Sequence, residues 1–191
     1  MSPLPTPGLA EASAPPGAWR LRPVGPGDEA LLRRIDAGTR QAELDATDWS
    51  ETQREQFLDL QYRARRAHYE ADNPGAEHGI VEICGDGRAW SAAGHLWLQR
   101  QRDALHVLDI ALRPDCCGRG LGTRVLRSVM DRAAGSGRVV SIHVEPGSAA
   151  HRLCERLGFV PVGPLLGTHQ RMAWSAGPAP FLGMGAAAAP P

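Results

Sequence analysis

The stretch "LRPDCCGRGLGTRVL", Leu112 to Leu126, decides how the rest of the chain reads. Gly118, Gly120 and Gly122 alternate there, between the apolar run "VLDIAL" and a helical pattern, with Arg119 and Arg124 beside them. Glycine loses more backbone freedom on ordering than any other residue, so three together need a reason. One reason is a plain turn from strand to helix. A second is a dinucleotide fingerprint, which wants G-x-G-x-x-G directly after a strand and an acid at the end of the next strand. Glu145 does end the next predicted strand. However, the third glycine comes early at Gly122, Thr123 follows it, and Pro114 lies between the strand and the glycines. A Walker-type loop fails because no Lys follows. The third reading is an isolated pyrophosphate cradle. Here exposed N–H groups and a helix N-terminus meet the phosphates, glycines let the backbone approach closely, and arginines add charge-assisted bonds.

The bulk properties are compatible with that reading. The chain has 191 residues, 42% of them hydrophobic, which suits one folded domain with a real core. Its 21 basic residues are all Arg, its 21 acidic residues balance them, and the formal net charge is +0. That argues against a general nucleic-acid or membrane partner. Cys84, Cys116, Cys117 and Cys154 show no C-x-x-C pair and no metal-ligand spacing, so no metal is expected. The N-terminus does not read as a signal peptide and no apolar run approaches membrane-spanning length, so the expected location is the cytoplasm.

Outward from the glycines, the pattern predicts a mixed α/β order, βαα-βββ-α-β-α-ββ. "AWRLRPV" alternates as a strand. Gly27 and Asp28 start a helix, and a second helix begins at the capping box of Ser50 and Gln53. Phe57, Leu60, Ala64, Ala67 and Ala71 share one face of that second helix. Three strands follow from His78, with a turn at Gly85-Asp86-Gly87. The glycine stretch then opens a helix that ends at Gly135. "RVVSIHVE" reads as a strand buried on both faces, and Gly158 closes a short helix. Residues 1–17 read as a disordered Pro/Ala-rich leader, 18–175 as the domain, and 176–191 as a tail in which Phe181, Leu182 and Met184 are the apolar exceptions.

Two segments in order, "DIALRPDCCGRGLGTRVLRSVM" and "HVEPGSAAHRLCERLGFVPV", resemble the GNAT superfamily of acetyl-CoA-dependent N-acyltransferases. The family signature Q/R-x-x-G-x-G/A corresponds to Cys117 through Gly122. The later N-x-x-A-x-x-L-Y-E-x-x-G-F segment corresponds to the run ending Cys154-Glu155-Arg156-Leu157-Gly158-Phe159. The likeness is clear from about Leu105 to Val162. It implies a central twisted mixed sheet of about seven strands flanked by about four helices. It also implies an acyl-CoA co-substrate, most commonly acetyl-CoA, and transfer to a primary amine of a small molecule or peptide by direct aminolysis in a ternary complex. The backbone of Ile110, Ala111 and Leu112 would pair with the pantetheine arm. Cys117, Gly118, Arg119, Gly120, Leu121, Gly122 and Thr123 would hold the pyrophosphate, and Ser148 and His151 would lie along the cofactor. A monomer or homodimer is expected.

The departures from the family pattern are specific. Cys117 replaces the usual Gln or Arg, and Gly147 or Ser148 replaces the usual Asn. Cys154 stands where the family has a Tyr general acid. A thiol can protonate a leaving thiolate, but a free Cys in a helix is most often a small buried hydrophobe. Asp109, a carboxylate in an apolar strand, and Glu145, at a strand end, are the candidates for general base. His95, His106 and His143 also fall in strands, where histidines are commonly structural. Glu43, Asp45, Asp48, Glu51 and Glu55 with Trp49 and Phe57 read as an acceptor wall or, more simply, as a solvated helix start. The second reading of function is an acyl-CoA-binding or sensing module with weak catalysis.

Overall fold

The strands run in the hydrogen-bonded order β1-β2-β3-β4-β5-β7-β6 within one seven-stranded sheet. They are β1 (Trp19–Pro23), β2 (Glu77–Cys84), β3 (Trp90–Arg100), β4 (Ala104–Leu112), β5 (Val139–Val144), β6 (Val160–Leu166) and β7 (His169–Trp174). The helices bounded within the described residues are α1 (Glu29–Thr39), α2 (Glu51–Asp72), α3 (Leu121–Ala134) and α4 (Ala149–Arg156). The computed structural model describes residues 14–40, 44–85, 87 and 89–177. Glu43, Asp86 and the apolar tail residues Phe181, Leu182 and Met184 lie outside the described residues, as do most of the leader and tail. The element order and the strand and helix numbers agree with the expectation from sequence.

The chain divides into two compact units. The first comprises residues up to Trp97 together with Asp109–Cys117. In it, β1 pairs antiparallel with β2, from Trp19↔Ile83 to Pro23↔Gly79. Leu32 of α1, Tyr62 of α2 and Ile80 of β2 form a buried cluster with Val24, Leu31 and Ala92 against it. Apolar burial of this kind supplies most of the folding drive. Asp28 precedes α1 as expected but does not cap it with its side chain. Its carboxylate instead receives both Arg22 guanidinium N–H groups at 2.6 and 2.7 Å and the Gly25 amide at 2.8 Å. The Arg22 hydrogen bonds are the main reason its carboxyl is held down at about 2. At the start of α2 the capping box forms as expected, with Gln53 Oε1 accepting from the Ser50 amide at 2.9 Å.

The inward face of α2 differs from the one its apolar residues suggested. Leu60 is 64% exposed, and Ala64, Ala67 and Ala71 are exposed too. Tyr62, Arg65, Arg66 and Tyr69 face inward instead, at i, i+3, i+4 and i+7. Arg65 pairs with Asp36, which is 2% exposed, and Arg66 pairs with Glu29. Hydrophobic periodicity misses this stripe because its burial is compensated by ion pairs and hydrogen bonds rather than by apolar area.

The second unit comprises Leu98–Leu108 and residues from Gly118 onward. There β4 pairs parallel with β5 from Ala104↔Val139 to Val107↔Ile142. Val125, Leu126, Val129 and Ala133 of α3 and Val140 of β5 are each at most 1% exposed, because the helix covers that strand. β5 is buried along Val140, Ser141, Ile142 and Val144, but His143 is exposed, so burial on both faces holds only in part. The Ser148 hydroxyl accepts from the His151 amide at 3.0 Å to cap α4. No helix among the described residues is long and apolar enough to cross a membrane.

Candidate active site

The glycine loop is held from one end. The Arg113 amide donates to Ala93 O at 2.8 Å, and its guanidinium reaches Ala92 O at 2.9 Å and Asp115 at 2.6 Å. A short 3-10 turn, Pro114–Cys116, follows. Within it the Cys117 amide donates to Pro114 O at 3.2 Å, so this amide is already engaged and is a poorer phosphate donor than the sequence suggested. The exposed Cys117 thiol lies 3.3 Å from Arg113 O, and burial by its neighbours, then Asp115, pushes its pKa up.

Beyond Cys117 the situation reverses. The amides of Gly118, Arg119, Gly120, Leu121, Gly122 and Thr123 have no hydrogen-bond acceptor among the described residues. The first internal bond of α3 is Arg124 N to Gly120 O, at 3.1 Å. Gly120 is the N-cap, with φ +78°, and offers no side chain to satisfy the helix start. Gly118 has φ +71°, and a Cβ at either glycine would meet no atom within 4 Å. Arg119 and Arg124 make no ion pair among the described residues. Six consecutive free donors at a helix N-terminus, with open space in front and Arg119 and Arg124 in the same stretch, suit a pyrophosphate.

In the first unit, the end of β4 bears Asp109, Ile110, Ala111 and Leu112. Gly94 of β3 makes room for it, since a Cβ there would stand 2.2 Å from Ala111 O. Asp109 lines a cavity of about 10 Å³, the space of one water molecule. Leu32, Tyr62, Arg65, Arg66, His78, His95 and Trp97 complete its lining. Asp109 Oδ2 is 3.8 Å from Arg65 Nε and 4.0 Å from His95 Nε2. His95 Nδ1 is 3.3 Å from His78 Nε2, and the His78 ring stacks on Trp97 at 4.2 Å. Tyr69 packs edge-on to the same Trp97 ring. Burial, then the nearby Asp109 charge, pushes its hydroxyl up to about 12.

Burial is the main cause that lowers both histidines, His78 down to about 3. For His95, Arg65 adds to the lowering while Asp109 opposes it. Both rings are therefore neutral at pH 7. Charge then selects the tautomers. Asp109 favours a proton on His95 Nε2, leaving His95 Nδ1 to accept from His78 Nε2–H. The His78–His95 pair is thereby directed toward the Asp109 carboxylate, which lies 4.0 Å from His95 Nε2.

This pair has a consequence for stability. A histidine whose pKa is depressed by folding favours the folded state fully above its unfolded value of about 6.5, and that contribution is lost as pH falls below it. Each neutral histidine can add a slope of up to about 1.4 kcal/mol per pH unit. Denaturant titrations at pH 7 and pH 5 are expected to show the wild type losing more stability than His78→Gln. Equal losses would mean that the buried pair titrates like exposed histidines.

The remaining sequence candidates are placed as follows. Glu145 is exposed, and its backbone carbonyl accepts from the Ser148 amide at 3.1 Å. Ser148 spends its hydroxyl on the α4 cap, and His151 Nδ1 lies 3.6 Å from Glu155. Cys154 is fully buried, and burial pushes its thiol up to about 11. That environment suits a core residue better than an acid that must meet substrate. Cys154→Ala is expected to keep kcat within twofold while costing about 1–2 kcal/mol of stability from the small cavity left behind. A tenfold loss of kcat with unchanged cofactor affinity would restore the acid role. Asp45 pairs with Arg54 at 3.4 Å, and Asp48, Trp49, Glu51 and Glu55 are exposed, as at a solvated helix start.

Sequence reasoning singled out Asp109 but not His78, Arg65, Asp36 or Tyr69. The helical spacing of Tyr62, Arg65, Arg66 and Tyr69 was the available signal. The meeting of His78 with His95 needs the strand alignment, which no local pattern contains. Among the described residues, no three His, Cys, Asp or Glu side chains are placed to hold a metal ion.

The model of the acetyltransferase (GNAT) family matches residues 41–159. No curated protein sequence matches the chain. Among solved structures, PaiA N-acetyltransferase of Thermoplasma acidophilum in complex with coenzyme A is similar, with a TM-score of 0.61 and 14% identity over 83% of this chain and 99% of that one. The ribosomal-protein-S18-alanine N-acetyltransferase of Escherichia coli gives 0.53 and 18%, over 85% and 98%. Spermidine N-acetyltransferase of Vibrio cholerae, solved with CoA and spermine, gives 0.54 and 16%, over 82% and 94%. At these identities the likeness is one of fold.

Proposed function

Since the chain belongs to the GNAT acetyltransferase family and is thereby an acyltransferase, we propose that it transfers an acyl group, most simply acetyl, from CoA to a primary amine. The observation that carries this reading is the run of unpaired amides from Gly118 to Thr123 at an uncapped helix start. Those amides, with Arg119 and Arg124, would hold the pyrophosphate. The backbone of Ile110, Ala111 and Leu112, past the last β4–β5 pair at Val107, would receive the pantetheine arm. The co-substrate supplies an activated thioester carbonyl.

Amine attack requires the ammonium to lose its proton first. Asp109 is the base that this chain offers. Its carboxylate lines a cavity with the space of one water, and Arg65 Nε and His95 Nε2 lie 3.8 and 4.0 Å from its Oδ2. Glu145, exposed at a strand end, lacks such surroundings. Cys117 contributes little to the cradle because its amide is already bonded. The acceptor is a small molecule or peptide bearing a primary amine, and the cytoplasm is its expected setting.

Calorimetric titration with acetyl-CoA, free CoA and NAD tests the cofactor, and CoA release across polyamines, amino acids and peptides tests turnover. Selective binding of acetyl-CoA or CoA with CoA release on some amine supports the proposal. Tight binding with no release on any amine favours the sensing module instead. Binding of NAD in preference to CoA would overturn both.

A further inference from the structure

One face of the second unit carries a cluster that the proposed acyl transfer does not invoke. Strand register places His106 of β4 opposite Ser141 of β5, and His143 of β5 opposite Arg171 of β7. His169 lies two residues from Arg171, on the same side of β7. Arg171 pairs with no carboxylate among the described residues, and its Nε is buried without any hydrogen-bond partner. Glu145, two residues beyond His143, is exposed and likewise forms no ion pair among the described residues. His106 is fixed on both sides, Nδ1 to the Ser141 hydroxyl and Nε2 to Gln101 Oε1 at 2.9 Å. Ser141 is 1% exposed, so this anchor is rigid.

Such an arrangement is costly as it stands. Sheets normally set opposite charges across from each other, and a buried donor without a partner costs more than a made hydrogen bond returns. Here Arg171 shares its face of the sheet with His143, His106 and His169. Burial lowers the pKa of His106 and His143, and the Arg171 charge lowers both further. What would complete the cluster is negative charge bearing several acceptor oxygens.

We propose that Arg171, with His143 and His106 beside it, forms a binding site for a small oxyanion, the phosphate or carboxylate group of a metabolite. The guanidinium fork suits two oxygens of such a group. His143, which is exposed, can add a charged N–H once protonated. A bound anion favours the imidazolium forms, so binding takes up protons and strengthens as pH falls from 8 to 6. The inference lies entirely within the second unit and does not rest on the acyltransferase reading.

The test is calorimetric titration of the full chain with inorganic phosphate and with acetate, at pH 6 and pH 8. The expected result is binding of at least one anion, at least threefold tighter at pH 6. Stronger phosphate than acetate binding would identify a phosphate ligand, and the reverse a carboxylate. Arg171→Gln is expected to weaken binding tenfold or more, and His143→Gln to flatten its pH dependence. The His143 C2–H proton resonance of the wild type should move on phosphate addition, which keeps the test valid if Arg171→Gln folds poorly. Phosphate affinity unchanged in Arg171→Gln, or lost in Gly120→Val, would place the anion elsewhere and overturn the site. Absence of binding by both anions would overturn it as well.

Discussion

Gly120→Val is expected to raise the acetyl-CoA dissociation constant at least a hundredfold. Two effects act together. Gly120 adopts φ +78°, where a β-branched side chain costs about 1–2 kcal/mol or more, so the loop would relax toward another conformation. The added side chain would also stand in the open space before the free amides, where nothing now lies within 4 Å of a Cβ. The fold should survive, because Gly120 is exposed and touches no core residue. Calorimetry with acetyl-CoA, alongside a thermal midpoint for the unliganded variant, separates lost binding from lost folding. A folded variant that binds acetyl-CoA as the wild type does would remove the cradle from this account.

Asp109→Asn is expected to lower kcat by 10²–10⁴-fold, the usual worth of a general base, with little change in acetyl-CoA affinity. Asn keeps the shape and one acceptor oxygen but cannot take a proton at neutral pH. Arg65 keeps its pairing with Asp36 in the variant, which limits the structural damage. Steady-state rates with the best acceptor, together with the dissociation constant, decide the matter. If kcat holds while stability falls, Asp109 is a counter-ion for Arg65 and the proton leaves by another route.

The glycine loop and the carboxylate differ in how far each could be read in advance. The loop is a local object. Alternating glycines, a proline before them and an apolar helical pattern after them specify backbone conformation over a few residues. Its position after β4 and its role as the start of α3 followed from the chain alone. So did the capping box at Ser50 and the Gly158 terminus, each made by groups within a few residues of the backbone they serve, whereas the Ser148 cap emerged only in the structure. Asp109 was legible as an anomaly, a carboxylate in an apolar strand. Its surroundings were not.

By itself the sequence determined the order of elements, the loop at the start of α3 and the family. All of these rest on hydrogen bonds and steric preferences that close within a few residues. Only the tertiary structure decided that Cys154 is enclosed in the core. It alone showed that α2 turns its tyrosines and arginines inward rather than its alanines. It alone brought His78 of β2, His95 of β3, Asp109 of β4 and Arg65 of α2 around one cavity, and set Arg171 among histidines from neighbouring strands. Burial and charge depend on which distant residues share a volume. A one-residue change in strand register would reverse every one of those faces.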